Sequence, residues 1–131
     1  MNKVFIFVLL VVSFVASAFF LNKNNSILQD EEDTYTLVQF NKLISSSKKT
    51  VLIYFHADWC MVCPKLKPIV KQIEDENKDK IEVIKVDIEK SKEVRDELEI
   101  NALPVLMVYK NGKRSWTYVG LTDKVNIGSN L

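Results

Sequence analysis

The sequence contains few cysteine and histidine residues, and it carries almost no net charge. Its 131 residues include two cysteines, Cys60 and Cys63, and one histidine, His56, and the formal net charge is +1 at neutral pH. So small a charge gives no basis for a nucleic-acid partner or for strong electrostatic steering. Thiolates and imidazole suit copper or zinc, so a metal-binding module using these three side chains is an alternative. It would lack any further cysteine or histidine to complete the site.

The chain also lacks internal repeats, low-complexity segments and the length for a second domain. About 110 residues follow the apolar N-terminal run, which is enough for one domain with a single core. We expect this domain to be a monomer.

An unbroken run of apolar or small residues, Val4–Leu21, follows the basic start of the chain. Within it, Ala16-Ser17-Ala18 fits the cleavage pattern of a secretory signal peptide, and the whole run is close to the length of a short transmembrane helix. We therefore predict that residues 1–21 are a signal peptide or an N-terminal membrane anchor that tethers the protein. Either segment would place the domain in the periplasm or another extracytoplasmic compartment, with Lys3 on the cytoplasmic side.

Residues 22–33 are polar and include the acidic cluster Asp30-Glu31-Glu32-Asp33. We predict a solvated linker here, followed by one folded domain over residues 34–131. Helical and strand patterns alternate through that domain, which indicates an α/β fold with central strands buried on both faces. The predicted helices are one opened by a Thr36–Gln39 capping box, one from about Cys60 to Asn77, a short one capped by Ser91, and a short C-terminal one within Thr122–Ile127. The predicted strands are Val51–Ala57 and Ile81–Ile88, followed by a hairpin of Val105–Tyr109 and Arg114–Val119 that turns at Asn111-Gly112.

The two cysteines lie directly after a predicted strand, at the predicted start of a helix. A helix N-terminus offers unpaired N–H groups and the positive end of the helix dipole, which favour a thiolate over a thiol. Cysteines in such C-x-x-C settings have pKa values lowered to about 3.5–7.5. We predict that Cys60 is the exposed nucleophile and that the more buried Cys63 resolves the mixed disulfide formed at Cys60. A purely structural disulfide is disfavoured, because closing so small a loop removes little entropy from the unfolded chain.

The segment Ala57-Asp58-Trp59-Cys60-Met61-Val62-Cys63 resembles the W-C-x-x-C active site of the thioredoxin superfamily. Its Ala57-Asp58-Trp59-Cys60 sequence also resembles the C-terminal domain of the DsbD-type transmembrane disulfide reductase. The resemblance covers roughly residues 36–121 and implies a thioredoxin-like fold, with a central mixed β-sheet flanked by helices and a dithiol site that needs no cofactor. Further matches occur in family order at Pro68, Val86-Asp87, Leu103-Pro104, Lys110-Asn111-Gly112 and Gly120.

The resemblance also implies roles for residues around the cysteines. In the family, the proline matching Pro104 follows a cis peptide bond and packs beside the cysteine pair, where the backbone of the residue matching Leu103 pairs with an extended substrate segment. Trp59 is expected to shield the site. Lys85 matches a family lysine near the site, although a strand lysine of this kind can also serve only to cover apolar surface.

Two positions depart from the family pattern. Tyr54 stands where thioredoxin keeps a buried acid that helps to deprotonate the resolving cysteine, and a tyrosine hydroxyl is a poor base at neutral pH. Proton removal from Cys63 must then use another group, such as Lys85, water or Asp58. Pro64 follows the second cysteine where a basic residue is common, and we expect it to loosen the first helical turn because it has no N–H to donate.

His56 is the one side chain of the segment that titrates near neutrality, and it could hold a proton close to the thiolate. On a strand, its side chain could equally point away from the site. Lys65, Lys67 and Lys71 are expected to form the solvated face of the helix.

Taken together, these features predict an exported thiol-disulfide oxidoreductase that acts on protein disulfides and receives electrons from an upstream thiol donor. Strong oxidants and isomerases of this superfamily usually carry a histidine between the cysteines, whereas this chain has Met61-Val62. The sequence therefore favours a protein-disulfide reductase. A DsbD-like electron-relay domain and the copper-handling module are the alternatives.

Overall fold

The computed structural model describes residues 33–131, and the predicted signal peptide or anchor and the predicted linker up to residue 32 lie outside this range. Within residues 33–131, no helix is both long enough and apolar enough to cross a bilayer.

Four strands form one mixed sheet, in the order β2-β1-β3-β4. Strand β2 is parallel to the central strand β1, as predicted for two strands joined by a helical crossover. Strand β3 is antiparallel to β1, and β4 is antiparallel to β3. The strands are β1 Thr50–His56, β2 Ile81–Asp87, β3 Val105–Lys110 and β4 Lys113–Val119.

Helices cover both faces of the sheet, which confirms the predicted α/β architecture with a central mixed sheet flanked by helices. Helix α2 begins later than predicted, at Cys63 rather than near Cys60. The helices are α1 Leu37–Ser46, α2 Cys63–Glu76, α3 Lys92–Glu97 and α4 Lys124–Gly128.

The alternation of side chains along β1 divides the core into two halves. Val51, Ile53 and Phe55 pack with residues of α1 and α3. Leu52 and Tyr54 point to the opposite face, where they pack with residues of α2 and α4. Both cysteines belong to this second half, so the period of the strand determines which β1 side chains stand beneath them.

The start of α1 confirms the predicted capping box. The Thr36 side chain accepts a hydrogen bond from the Gln39 N–H at 3.3 Å, and the Thr36 N–H donates to Gln39 Oε1 at 2.9 Å. Ser91 occupies the N-cap position of α3 as predicted, but its hydroxyl makes no capping hydrogen bond to the helix. Instead it accepts from the Tyr35 N–H at 2.9 Å and donates to the Asp33 carbonyl at 3.4 Å, which fixes the chain segment that leads into α1.

The β3–β4 hairpin turns at Asn111 and Gly112, as predicted. Their φ angles are +53° and +73°, and two consecutive residues of positive φ define the turn that best matches the twist of a two-residue hairpin. The sequence pair Asn-Gly is favoured there because both residues tolerate this conformation.

The short helix α4 covers part of the face that α2 leaves open. Ile127 is fully buried in the second half of the core, and Leu131 packs against the same cluster. Lys124 Nζ donates to Glu76 Oε1 at 2.6 Å, which links α4 to the end of α2.

The burial of Ile127 predicts that α4 contributes to stability despite its length. Ile127→Ala should lower the free energy of unfolding by about 2–5 kcal/mol, because it removes buried methylene groups and leaves a cavity. Val125→Ala in the same helix is the matched control, since Val125 is 80% exposed. Urea denaturation of both variants tests this, and equal small losses would show that α4 does not pack as described.

Candidate active site

The loop between β1 and α2 holds Cys60 close to the first backbone N–H of the helix. The Cys63 N–H lies 3.1 Å from Cys60 Sγ and 3.3 Å from the Cys60 carbonyl, so the two acceptors share it. Although Cys60 itself lies outside the helix, its sulfur thus receives the N-terminal donor that the sequence predicts. A sulfur that accepts such a bond is stabilised as the thiolate.

Cys60 and Cys63 form a disulfide, with an S–S distance of 2.14 Å and a Cα–Cα distance of 5.4 Å. Cys60 is 6% exposed and Cys63 is 4% exposed. The predicted contrast between an exposed nucleophile and a buried resolving cysteine is therefore wrong for this disulfide-bonded form. Both cysteines are buried in the disulfide, so their exposure does not distinguish a nucleophile from a resolving cysteine. The N–H contact, which only Cys60 Sγ receives, does distinguish them.

Pro64 is compatible with α2 because the helix begins only at Cys63, and the turn from Cys60, which Pro64 is expected to loosen, is not helical. It lies within the first turn of α2, where a backbone N–H has no intrahelical partner and proline is well tolerated. Pro64 has no N–H to donate to the Cys60 carbonyl. That carbonyl accepts from the Cys63 N–H instead.

Tyr54 has a structural role that the sequence analysis missed. Its hydroxyl is buried beneath α2 and donates a 2.8 Å hydrogen bond to the Cys63 carbonyl. Burial, and to a smaller extent the charge of Asp33, raise the pKa of Tyr54 to about 12. The phenol therefore stays protonated at neutral pH and anchors the first residue of the helix as a donor.

His56 points toward the site, and Asp33 holds it there. His56 Nε2 lies 2.9 Å from Asp33 Oδ2, and the imidazole stacks on the Tyr54 ring at a centroid distance of 5.4 Å. Asp33, which the sequence analysis placed in a solvated linker, is fixed by its own backbone, because its carbonyl accepts from the Asp87 N–H at 2.8 Å. No local pattern could have revealed this pair, since 23 positions separate the two residues.

These side chains share a cavity of about 280 Å³ that reaches both cysteines. The predicted residues Asp58 and Lys85 lie on its wall, and Lys85 stands opposite Tyr54 in the sheet register. The lysines at 65, 67 and 71 are exposed on α2 as predicted, but Lys67 also borders the cavity. The cavity is lined by Asp33, Tyr54, His56, Ala57, Asp58, Cys60, Cys63, Pro64, Lys67 and Lys85.

Three exposed apolar side chains lie on the surface around the cysteines. Trp59, Met61 and Val62, which we call the apolar patch, are 58%, 89% and 38% exposed. The Trp59 indole is held on the surface because its Nε1–H donates to Glu89 Oε1 at 3.0 Å. Trp59 is therefore not a core residue.

The predicted cis peptide bond between Leu103 and Pro104 is confirmed. Leu103 packs against both halves of the core, including the half that contains the two cysteines. The Pro104 carbonyl accepts from the Gly120 N–H at 2.8 Å, which ties the start of β3 to the end of β4.

Residues 33–131 offer no group of three or more His, Cys, Asp or Glu side chains arranged to hold a metal ion. The metal-binding alternative thus gains no support from the described part of the chain. A cysteine pair at disulfide distance in the loop between a central strand and a helix is the arrangement expected of a thiol-disulfide oxidoreductase.

Comparisons with known proteins agree with that class. The family model described as Thioredoxin matches residues 31–131. The thioredoxin of Rickettsia felis is 36% identical over 85 residues, which are 65% of this chain and 81% of the relative. Thioredoxin Y, chloroplastic, from Oryza sativa subsp. japonica is 32% identical over 99 residues, which are 76% of this chain but only 59% of that longer protein.

A solved structure is similar in fold. The oxidized form of mitochondrial thioredoxin 3 from Saccharomyces cerevisiae has a TM-score of 0.66 and 23% identity, covering 72% of this chain and 88% of that one. The chain belongs to the thioredoxin family.

The raised pKa of Tyr54 predicts a pH-dependent contribution to stability. Because the folded-state pKa of about 12 exceeds the ordinary value of 10.0, the unfolded chain loses this proton first as the pH rises. The contribution is therefore complete below pH 10 and is lost between pH 10 and about 12. Tyr54→Phe should lower the unfolding free energy by about 0.5–1.5 kcal/mol at pH 8, through the lost hydrogen bond.

At pH 11 the difference between the two proteins should shrink or reverse, because the phenylalanine variant has no proton to lose there. Urea denaturation at both pH values tests this. Burial also raises the pKa of Tyr109, but that residue is present in both proteins and cancels in the comparison. A stability difference that is constant from pH 8 to pH 11 would contradict the prediction.

Proposed function

We propose that this chain is an exported protein-disulfide reductase that acts through Cys60 and Cys63. The observation that carries the proposal is the contact of the Cys63 N–H with Cys60 Sγ, in a pair close enough to form a disulfide. Such a donor favours a Cys60 thiolate, which is the species that attacks a disulfide.

The reaction has two exchange steps. The Cys60 thiolate attacks one sulfur of a substrate disulfide, forms a mixed disulfide and releases the other substrate sulfur as a thiolate. The Cys63 thiol then loses its proton and attacks Cys60 Sγ, which forms the Cys60–Cys63 disulfide and releases the second substrate thiolate. Two electrons pass to the substrate, and an upstream thiol donor must return two electrons to the pair.

The apolar patch supports a protein as the substrate. Exposed Trp59 and Met61 beside a reactive sulfur offer contact area for an extended, partly apolar chain. Met61 and Val62 place no positive charge between the cysteines, which supports reduction rather than oxidation as the direction of transfer.

Export rests on the N-terminal sequence. The Val4–Leu21 run after Lys3, with Ala16-Ser17-Ala18 near its end, has the pattern of a signal peptide or anchor. The relatives named above include chloroplast and bacterial thioredoxins, and their locations are not transferred to this chain.

The cysteine roles predict different outcomes for the two serine variants. Cys60→Ser should abolish insulin reduction, because no thiolate starts the exchange. Cys63→Ser should also stop turnover but should accumulate a mixed disulfide at Cys60, visible by intact-mass analysis after incubation with a disulfide substrate. A mixed disulfide trapped at Cys63 in the Cys60→Ser protein, with none trapped in Cys63→Ser, would reverse the assignment.

Export predicts the form of the mature protein. If the signal peptide is cleaved, intact-mass analysis after expression of the full chain should show a protein beginning near Phe19 in the extracytoplasmic fraction. A full-length protein released only by detergent would identify the anchor instead. A full-length protein in the soluble cytoplasmic fraction would contradict export.

A further inference from the structure

The cavity beneath Cys63 contains a carboxylate–imidazole pair that the exchange steps above leave unused. His56 and Asp33 are joined at 2.9 Å, and both line the same cavity as Cys63. Tyr54, which occupies the strand position nearest to Cys63, is committed as a hydrogen-bond donor to the Cys63 carbonyl and cannot serve as a base at neutral pH. The resolving thiol therefore needs a different proton acceptor.

We propose that His56, oriented by Asp33, accepts the proton of the Cys63 thiol when the mixed disulfide is resolved. This inference rests on the proposed reductase function and adds the group that activates its second step.

The hydrogen bond to Asp33 determines which ring nitrogen is available. An ionised carboxylate only accepts hydrogen bonds, so His56 Nε2 carries the hydrogen that it donates to Asp33 Oδ2. Nδ1 of the neutral ring then has a free lone pair and accepts the proton. The carboxylate also stabilises the imidazolium that forms, as in other acid–histidine pairs.

The position of the imidazole is restricted from two sides. Tyr54 stacks against one face of the ring with an interplanar angle of 27°. Asp33 is held in turn by the backbone of Asp87 and by the hydroxyl of Ser91, at 2.8 and 3.4 Å from its carbonyl. Because both side chains are already held in place, little conformational entropy is lost when the proton is transferred. A fixed imidazole is therefore a better proton acceptor than a mobile side chain.

The cavity that His56 and Cys63 share is large enough to admit water. The cavity volume of about 280 Å³ exceeds the share of one water molecule in the liquid, roughly 30 Å³, several-fold. Transfer through one ordered water is an accepted route for a general base.

Other charged groups face the same cavity and must be tested against His56. The Lys85 ammonium on β2 has no lone pair to accept a proton in its charged form. Asp87 lies opposite His56 in the sheet register but does not line the cavity, and its side chain accepts from the Glu89 N–H at 2.9 Å. The remaining charged groups on the wall are Asp58, in the loop after β1, and Lys67, on α2.

The step balances as follows. The Cys63 S–H bond breaks and its proton moves to His56 Nδ1, directly or through water. The thiolate attacks Cys60 Sγ, the bond between Cys60 and the substrate sulfur breaks, and that sulfur leaves with the electron pair. The imidazolium then returns its proton to the departing thiolate or to solvent.

Stopped-flow mixing of the reduced protein with Ellman's reagent separates the two steps, because each releases one coloured thiolate. The first release is attack by Cys60 and depends on reagent concentration, whereas the second is resolution by Cys63 and does not. His56→Gln keeps an N–H donor for Asp33 but cannot take a proton. It should leave the first rate nearly unchanged and slow the second about tenfold or more at pH 7, within the range typical of general bases.

The pH profile supplies a readout that a structural role would not move. In the original protein, the second rate should fall as the pH drops and the imidazole becomes protonated. Asp33→Asn should also slow the second rate, because the imidazole loses the carboxylate that orients it and stabilises its charged form. Asp96→Asn, which removes an exposed carboxylate on α3 that pairs with Arg95, is the matched control and should leave the second rate unchanged.

A direct titration is also available. His56 is the only histidine in the sequence, so the NMR signals of its imidazole need no assignment. Its titration midpoint should match the kinetic inflection, a result that does not depend on whether His56→Gln folds.

Three results would overturn the proposal. They are an unchanged second rate in folded His56→Gln from pH 5 to 8, an NMR midpoint that differs from the kinetic inflection, or loss of the second phase in Lys85→Met alone. Failure of the reductase proposal has a different signature. In that case the reduced original protein would react with Ellman's reagent in both phases but would not reduce insulin.

Discussion

The backbone of Cys63 is the point on which the rest of the site depends. Its N–H is directed at Cys60, where sulfur and carbonyl share it at 3.1 and 3.3 Å, and its carbonyl accepts the Tyr54 hydroxyl at 2.8 Å. The backbone of one residue thus joins the loop that carries Cys60 to the central strand. Because Cys63 is also the first residue of α2, the position of the helix and the position of the Cys60 sulfur are set together.

This arrangement requires β1 to be central and regular. The strand must bury alternate side chains on opposite faces, so that Tyr54 and His56 lie on the α2 side while Phe55 packs against α1. A shift of one residue in the strand register would turn both ring systems away from the cysteines. The parallel pairing with β2 and the antiparallel pairing with β3 hold that register from both sides.

The sequence predicted most of the fold because its signals are local. The capping box at Thr36, the Asn111-Gly112 turn and the continuous apolar run of β1 each specify their own structure within a few residues. The cysteine pair was likewise visible from its spacing. The errors concern contacts between distant parts of the chain. The local pattern predicts a capping hydroxyl at Ser91 and a linker residue at Asp33, whereas the Ser91 hydroxyl donates to the Asp33 carbonyl, 58 positions away. The hydrogen bond from Tyr54 to the Cys63 carbonyl likewise has no local signal in the sequence.

In this site the β1 position that could hold a buried acid is occupied by Tyr54, and the carboxylate near the cysteines belongs to Asp33 instead. This difference affects stability. A buried acid on β1 would be desolvated, which raises its pKa and costs stability whenever the acid is ionised. A phenol at the same position is neutral, fills the space beneath α2 and satisfies the Cys63 carbonyl, so burial costs it little. The carboxylate lies instead on Asp33, whose side chain is 31% exposed and contacts His56. The carboxylate is thereby separated from the position next to the thiol, and the imidazole that contacts it lies with Cys63 on the wall of the same cavity.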